Sequence, residues 1–134
     1  MDYGATDRRV LVVEDSPVIQ KLIEICLRPA GFEVDSAETG HTALLKAKSV
    51  VPDLVVLDVG LPDMSGWDVL QALRSGHATG DVVVLMLTGD GREETERRAD
   101  ELGADSFLTK PFRPNDLREV CVRLVASGAP ITAA

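Results

Sequence analysis

The stretch Asp53-Leu54-Val55-Val56-Leu57-Asp58 sets four aliphatic residues in a row between Pro52 and the Gly60-Leu61-Pro62 turn. A strand with one wet face alternates apolar and polar residues, so a run that is apolar at every position is covered on both faces and lies centrally in its sheet. Outward from this stretch, Val82 to Leu87 repeats the pattern and Arg9 to Val13 gives a shorter version of it. Phe32-Glu33-Val34-Asp35-Ser36 alternates instead, as an edge strand does, and Ser106-Phe107-Leu108 reads as a last short strand.

Helical patterns fill the intervals. Ser16-Pro17 opens the first, because Ser caps free amides and Pro fits the first helical position. Val18, Ile19, Leu22, Ile23, Cys26 and Leu27 follow at helical spacing and are expected to form its buried stripe; Pro29 and Gly31 end it early. Weaker stripes are Ala43, Leu44, Ala47 and then Trp67, Leu70, Leu73; the last helix carries Leu117, Val120, Cys121, Leu124 and Val125. Arg92 to Leu102 differs, since its apolar residues are Ala99 and Leu102 and nearly everything else is charged. Glu93–Arg97 and Glu94–Arg98 have i,i+4 spacing, worth about 0.2–0.5 kcal/mol each. This helix is expected to be weakly anchored.

Strand and helix thus alternate five times, which predicts an α/β fold, a doubly wound five-stranded parallel sheet with five helices on its two faces. The strand order 2-1-3-4-5 is taken over from known doubly wound proteins, with the polar second strand at an edge. The 134 residues suit one domain, expected over 9–126, with a disordered N-terminus at 1–8 and a flexible tail at 127–134. A net charge of −8 argues against a nucleic-acid surface, and no apolar run approaches the ~18 residues of a membrane span. A cytoplasmic location is expected. Cys26 and Cys121 lie far apart among aliphatic residues and read as buried thiols, while His41 and His77 read as surface residues.

Ligands of open α/β sheets bind beyond the carboxyl ends of the strands. Those ends carry Glu14 and Asp15 after strand one, Asp58 at strand three, Thr88 at strand four and Lys110 after strand five. Three carboxylates within a few ångströms repel one another, an arrangement a fold tolerates best around a cation. Hard oxygen donors with room for water suit Mg²⁺ better than Zn²⁺ or Ca²⁺.

Glu14-Asp15, the Val56-Leu57-Asp58-Val59-Gly60-Leu61-Pro62-Asp63-Met64-Ser65-Gly66 segment, Thr88-Gly89 and Lys110-Pro111-Phe112 together resemble the signature of two-component response-regulator receiver domains, over roughly Arg9 to Ala126. The resemblance implies a flavodoxin-like fold and a phosphorylation switch rather than an enzyme acting on other molecules. Asp58 would accept a phosphoryl group from a phosphohistidine on a sensor histidine kinase or histidine phosphotransfer protein. Asp15, Asp58 and the carbonyl of Gly60 would hold Mg²⁺, with Glu14 acting through water. Lys110 and Thr88 would meet the phosphoryl oxygens, and the Lys110–Pro111 bond is often cis in such domains. Thr88 and Phe107 would be the switch pair, changing the face formed by the fourth helix, fifth strand and fifth helix. That face would control a downstream effector protein or domain, or form a phosphorylation-dependent dimer; no direct nucleic-acid or membrane partner is expected.

Glu14 departs from the commoner Asp of the acidic pair. In such domains the positions of Gly60 and Asp90 would flank the path of a hydrolysing water; a bare Gly leaves that path open, while Asp90 would either repel or orient the water. A phosphatase of the haloacid dehalogenase type would need an acid where Gly60 stands, and a flavodoxin would not place Glu14 and Asp15 against a phosphate. A pseudo-receiver, a binding module that is never phosphorylated, usually lacks one of these acids, the Thr or the Lys; here all are present.

Overall fold

A computed structural model describes residues 8–128. It contains β1 (Arg9–Val13), α1 (Pro17–Leu27), β2 (Glu33–Ala37), α2 (Gly40–Ser49), β3 (Leu54–Asp58), α3 (Gly66–Ser75), β4 (Val83–Thr88), α4 (Glu93–Glu101), β5 (Ser106–Thr109) and α5 (Pro114–Gly128). All four strand pairings are parallel, in the order β2-β1-β3-β4-β5. The expected loose ends fall largely outside the described residues. At their inner margins, the Arg8 carbonyl accepts from Glu33 N and α5 continues past 126 to Gly128.

Every residue of β3 is buried, and β4 is buried from Val84 onward, which is why their sequences show no alternation. Successive residues feed opposite layers. Leu11, Val13, Val55, Leu57, Val84 and Met86 face the layer of α2 and α3 with Ala99 of α4; Val10, Val12, Leu54, Val56, Leu85 and Leu87 face α1 and α5. β2 lies at an edge, pairing with β1, and keeps the alternating burial its sequence predicts.

Ser16 caps α1, its hydroxyl accepting from Ile19 N at 3.3 Å, with Pro17 in the first turn. The helix stops at Leu27. Arg28 keeps helical dihedrals despite preceding Pro29, so Arg28–Ala30 forms one 3₁₀ turn before Gly31 reverses the chain at φ 97°. The expected α1 stripe needs correction. Ile23, Cys26 and Leu27 are buried and Ile19 packs beside them, but Val18 is 77% exposed and Leu22 38%. Together with Ile25 at 59%, they form a second apolar face that the sheet does not reach.

β2 begins at Glu33 rather than Phe32, whose ring is buried just ahead of it. In α4, Ala99 is the buried residue, as its composition predicts. Its i,i+4 ion pairs do not form among the described residues; the Arg98 guanidinium lies instead 5.2 Å from the centroid of the Trp67 ring on α3. Both cysteines are free and buried, and His41 and His77 are exposed.

Candidate phosphoacceptor site

Four strand ends converge at one edge of the sheet. Glu14 follows β1 and continues its ladder, donating its amide to Ala37 O at 3.0 Å, so the side chain is carried inward and is 1% exposed. Asp15, next along, is exposed. Asp58 closes β3 at 6% exposure and Thr88 closes β4 at 4%. Oxygens of Glu14, Asp15 and Asp58 lie within 4.8 Å of one another.

Lys110 joins the two buried carboxylates. Its Nζ is 2.8 Å from Asp58 Oδ1 and 3.0 Å from Glu14 Oε1. The Lys110 amide donates to Thr88 O at 2.7 Å, and the Lys110–Pro111 bond is cis. The mutual repulsion expected of the acids is therefore offset by an internal ammonium. Burial alone would push the Lys110 pKa down, but hydrogen bonds and charge from Asp58 and Glu14 outweigh it, leaving the value above 10.5. For Glu14 burial is the larger effect and raises its pKa above 4.5, although Lys110 and the Ser16 amide, 3.1 Å from Oε2, both pull the other way.

The Thr88 hydroxyl is engaged by its own loop. It accepts from Asp90 N at 3.0 Å and donates to Asp90 O at 3.3 Å. The Asp90 carboxylate in turn grips Arg92, with Nε 2.9 Å from both oxygens and Nη2 2.7 Å from Oδ2. Phe107 is half-buried, pairs with Met86 across the sheet and lines an open groove of about 650 Å³ between α4 and β5, with Ala99 and Ala104.

Gly60 bridges to Ser65 and closes the loop after β3. A Cβ at Gly60 would stand 3.8 Å from Asp58 Oδ2, so this position borders the carboxylate. The sequence does not show the supporting roles of three residues, although Asp63 and Gly66 stand in the segment that carries the resemblance. Gly66 is required by close approach, since a Cβ there would overlap the Asp58 carbonyl oxygen. The Asp63 carboxylate accepts from Gly40 N and His41 N, at 2.8 and 2.9 Å, which clamps the loop onto the start of α2 and holds the Asp63 pKa below 3.8. Arg74 donates to the carbonyls of Gly80, Val82 and Gly103 and to Asp105, joining α3 to both ends of the neighbouring loops. Their partners lie six to thirty-one residues away in sequence, and no local pattern signals most of them.

A parallel five-stranded sheet with a buried carboxylate, a lysine and a threonine at adjacent strand ends defines a class of aspartate-centred α/β domains. The chain belongs to the response regulator receiver domain family, whose sequence model matches residues 10–121. It is 39% identical over 118 residues to the DNA-binding dual master transcriptional regulator RpaA of Synechocystis sp., covering 88% of this chain and 48% of that protein. With the transcriptional regulatory protein KdpE of Mycobacterium tuberculosis it shares 43% identity over 125 residues, 93% of this chain and 53% of KdpE. The chain thus spans about half the length of these two regulators. The chemotaxis response regulator CheY4 of Vibrio cholerae superposes with a TM-score of 0.84 at 34% identity, covering 89% of this chain and 99% of CheY4. Receiver domains are signalling domains, and they bind Mg²⁺ at an acidic pocket of the kind formed by Glu14, Asp15 and Asp58. No helix among the described residues is long and apolar enough to cross a membrane.

Proposed function

We propose that residues 9–126 act as a switch driven by phosphorylation of Asp58. An oxygen of the Asp58 carboxylate attacks the phosphorus of a phosphohistidine presented by a sensor histidine kinase or histidine phosphotransfer protein. The P–N bond breaks as the acyl phosphate P–O bond forms, and the imidazole leaves with the electron pair. The observation that carries this reading is the Lys110 ammonium set 2.8 Å from Asp58 Oδ1 at the mouth of the sheet. Such a transfer asks the protein mainly for positioning and charge neutralisation. Lys110 supplies one positive charge, and Thr88 offers a hydroxyl to a phosphoryl oxygen once it lets go of the Asp90 main chain.

The donor set fits Mg²⁺, being hard carboxylate oxygens close together beside solvent. Asp15, Asp58 and the Gly60 carbonyl would hold the ion, with Glu14 behind them through water because its oxygens already serve Lys110 and Ser16 N. When bound, Mg²⁺ supplies divalent counter-charge to the oxygens of the transferring group. The same groups serve Asp58's own phosphoryl transfer and its slow hydrolysis, in which water attacks the phosphorus and the Asp58 carboxylate leaves as inorganic phosphate forms.

The added phosphoryl charge draws Thr88 inward. Phe107 turns with it, and the face of α4, β5 and α5 changes shape for an effector protein or domain or for a second copy. The switch works in the cytoplasm. The net charge of −8 speaks against nucleic-acid contact for this domain itself; DNA binding, as in RpaA's name, would belong to further chain.

Incubation with Mg²⁺ and a small acyl phosphate, followed by intact mass, tests this. A base-labile phosphoryl adduct is expected on the wild type and not on Asp58→Asn. An adduct that persists in the variant sinks the assignment of Asp58, and none on the wild type leaves an unphosphorylated binding module.

A further inference from the structure

We propose that Gln20 is a positioning residue for the metal-binding carboxylate of Asp15, acting through the peptide bond between Glu14 and Asp15. This rests on Asp15 and Asp58 as the metal ligands. The Gln20 side chain reaches back from the first turn of α1, and its Nε2 donates to Glu14 O at 3.0 Å. Its own amide donates to Ser16 O at 2.9 Å, which seats the residue in the helix directly below that loop. The peptide that carries Asp15 therefore has its carbonyl held by one side chain.

Asp15 depends on that hold more than its neighbours do. Glu14 is fixed by Lys110 on Oε1 and Ser16 N on Oε2. Asp58 is fixed by Lys110 and by its place in β3. The exposed Asp15 carboxylate makes no hydrogen bond or ion pair among the described residues, so its direction comes from the backbone. Mg²⁺ accepts oxygen ligands only near 2.0–2.1 Å in near-octahedral array, so a rotated Glu14–Asp15 peptide takes one donor out of range.

The test is a titration of ¹⁵N- and ¹³C-labelled protein with MgCl₂. Gln20→Met keeps chain length and helix propensity but removes the donor. A lost neutral hydrogen bond predicts Mg²⁺ affinity about three- to tenfold weaker. The Glu14 carbonyl carbon resonance should shift, while the melting temperature without Mg²⁺ falls by no more than about a few degrees, the loss of one hydrogen bond. Gln20→Asn, too short to reach Glu14 O, should behave like the Met variant. Equal Mg²⁺ affinity in wild type and both variants overturns the role of Gln20, as does a lowered metal-free melting temperature with unchanged affinity. No saturable shift at Asp15 or Asp58 in the wild type overturns the metal assignment itself, and this proposal with it.

Discussion

α3 and α4 follow adjacent central strands and lie on the same face of the sheet, yet they are held by different forces. α3 buries Trp67, Val69, Leu70 and Leu73, and its first turn is capped by the Ser65 hydroxyl, which accepts from Trp67 N at 3.1 Å. α4 buries Ala99, has no side-chain cap at Arg92 and is tied down by the Arg98 guanidinium over Trp67 and by the Asp90–Arg92 ion pair just ahead of it. Dispersion and hydrophobic burial are insensitive to a new charge nearby, whereas ion pairs and cation–π contacts respond to it directly. The domain thus sets a firmly packed helix after β3, the strand that ends in Asp58, and a lightly held one after β4, the strand bearing Thr88. On the proposed reading, a phosphoryl group at Asp58 would move α4 without loosening its own support.

This contrast makes unequal mutational effects the first way to break it. Leu70→Ala, in the core beneath α3, should destabilise the fold by about 2–5 kcal/mol in urea denaturation. Glu96→Ala on the exposed side of α4 should stay within ~0.5 kcal/mol. Similar costs for the two would remove the distinction.

A smaller effect is expected at the contact that joins the helices. Arg98→Met should lower stability by about 0.5–1 kcal/mol, the range of a partly exposed cation–π pair. Trp67 is the single tryptophan of the chain, so its emission reports this contact without interference. If Arg98 helps hold α4 in its resting place, the emission should shift in the variant before any phosphoryl donor is added. Unchanged emission would mean that the contact does not restrain the helix.

The smallest effect is in acid. Hydrogen bonds from the Arg92 side chain and amide hold the Asp90 carboxyl well below its ordinary value of 3.8. A depressed carboxylate pKa contributes stability at pH above the unfolded value, and that contribution fades as pH falls below 3.8 toward the folded value. Carboxyl ¹³C titration should find Asp90 still ionised below pH 3.8 and raised toward the ordinary range by Arg92→Ala, which removes the guanidinium but keeps the backbone amide. An ordinary titration in the wild type would show the loop before α4 to be loose already.

Local patterns explain why so much of this architecture was legible in the sequence. β3 and β4 are apolar throughout because both faces are covered, and Trp67, Leu70 and Leu73 recur at helical spacing because one face of α3 is buried. Glu14, Asp15, Asp58, Thr88 and Lys110 stand out as polar groups at the ends of apolar strands. Non-local contacts were less accessible. Lys110 and Glu14 meet across ninety-six positions, and Asp63 reaches twenty-three back to Gly40. Arg98 had Glu94 at favourable spacing but lies over Trp67, because an exposed i,i+4 pair offers too little to compete with a buried aromatic face. Helical spacing places Val18 and Leu22 in the buried stripe of α1, yet they lie with Ile25 on an exposed face, because spacing shows that a face is apolar, not what covers it.

The two cysteines have a practical consequence for anyone following α4. Both thiols are buried, and burial together with the neighbouring Cys26 pushes the Cys121 pKa up to about 12. Thiolate is the reactive form, so both native sites are poor targets for maleimide near neutral pH. A cysteine placed on the solvent side of α4, at Glu96 for example, would be labelled selectively. The wild-type background can therefore carry a single spin or fluorescence probe on this helix without first being stripped of its own cysteines.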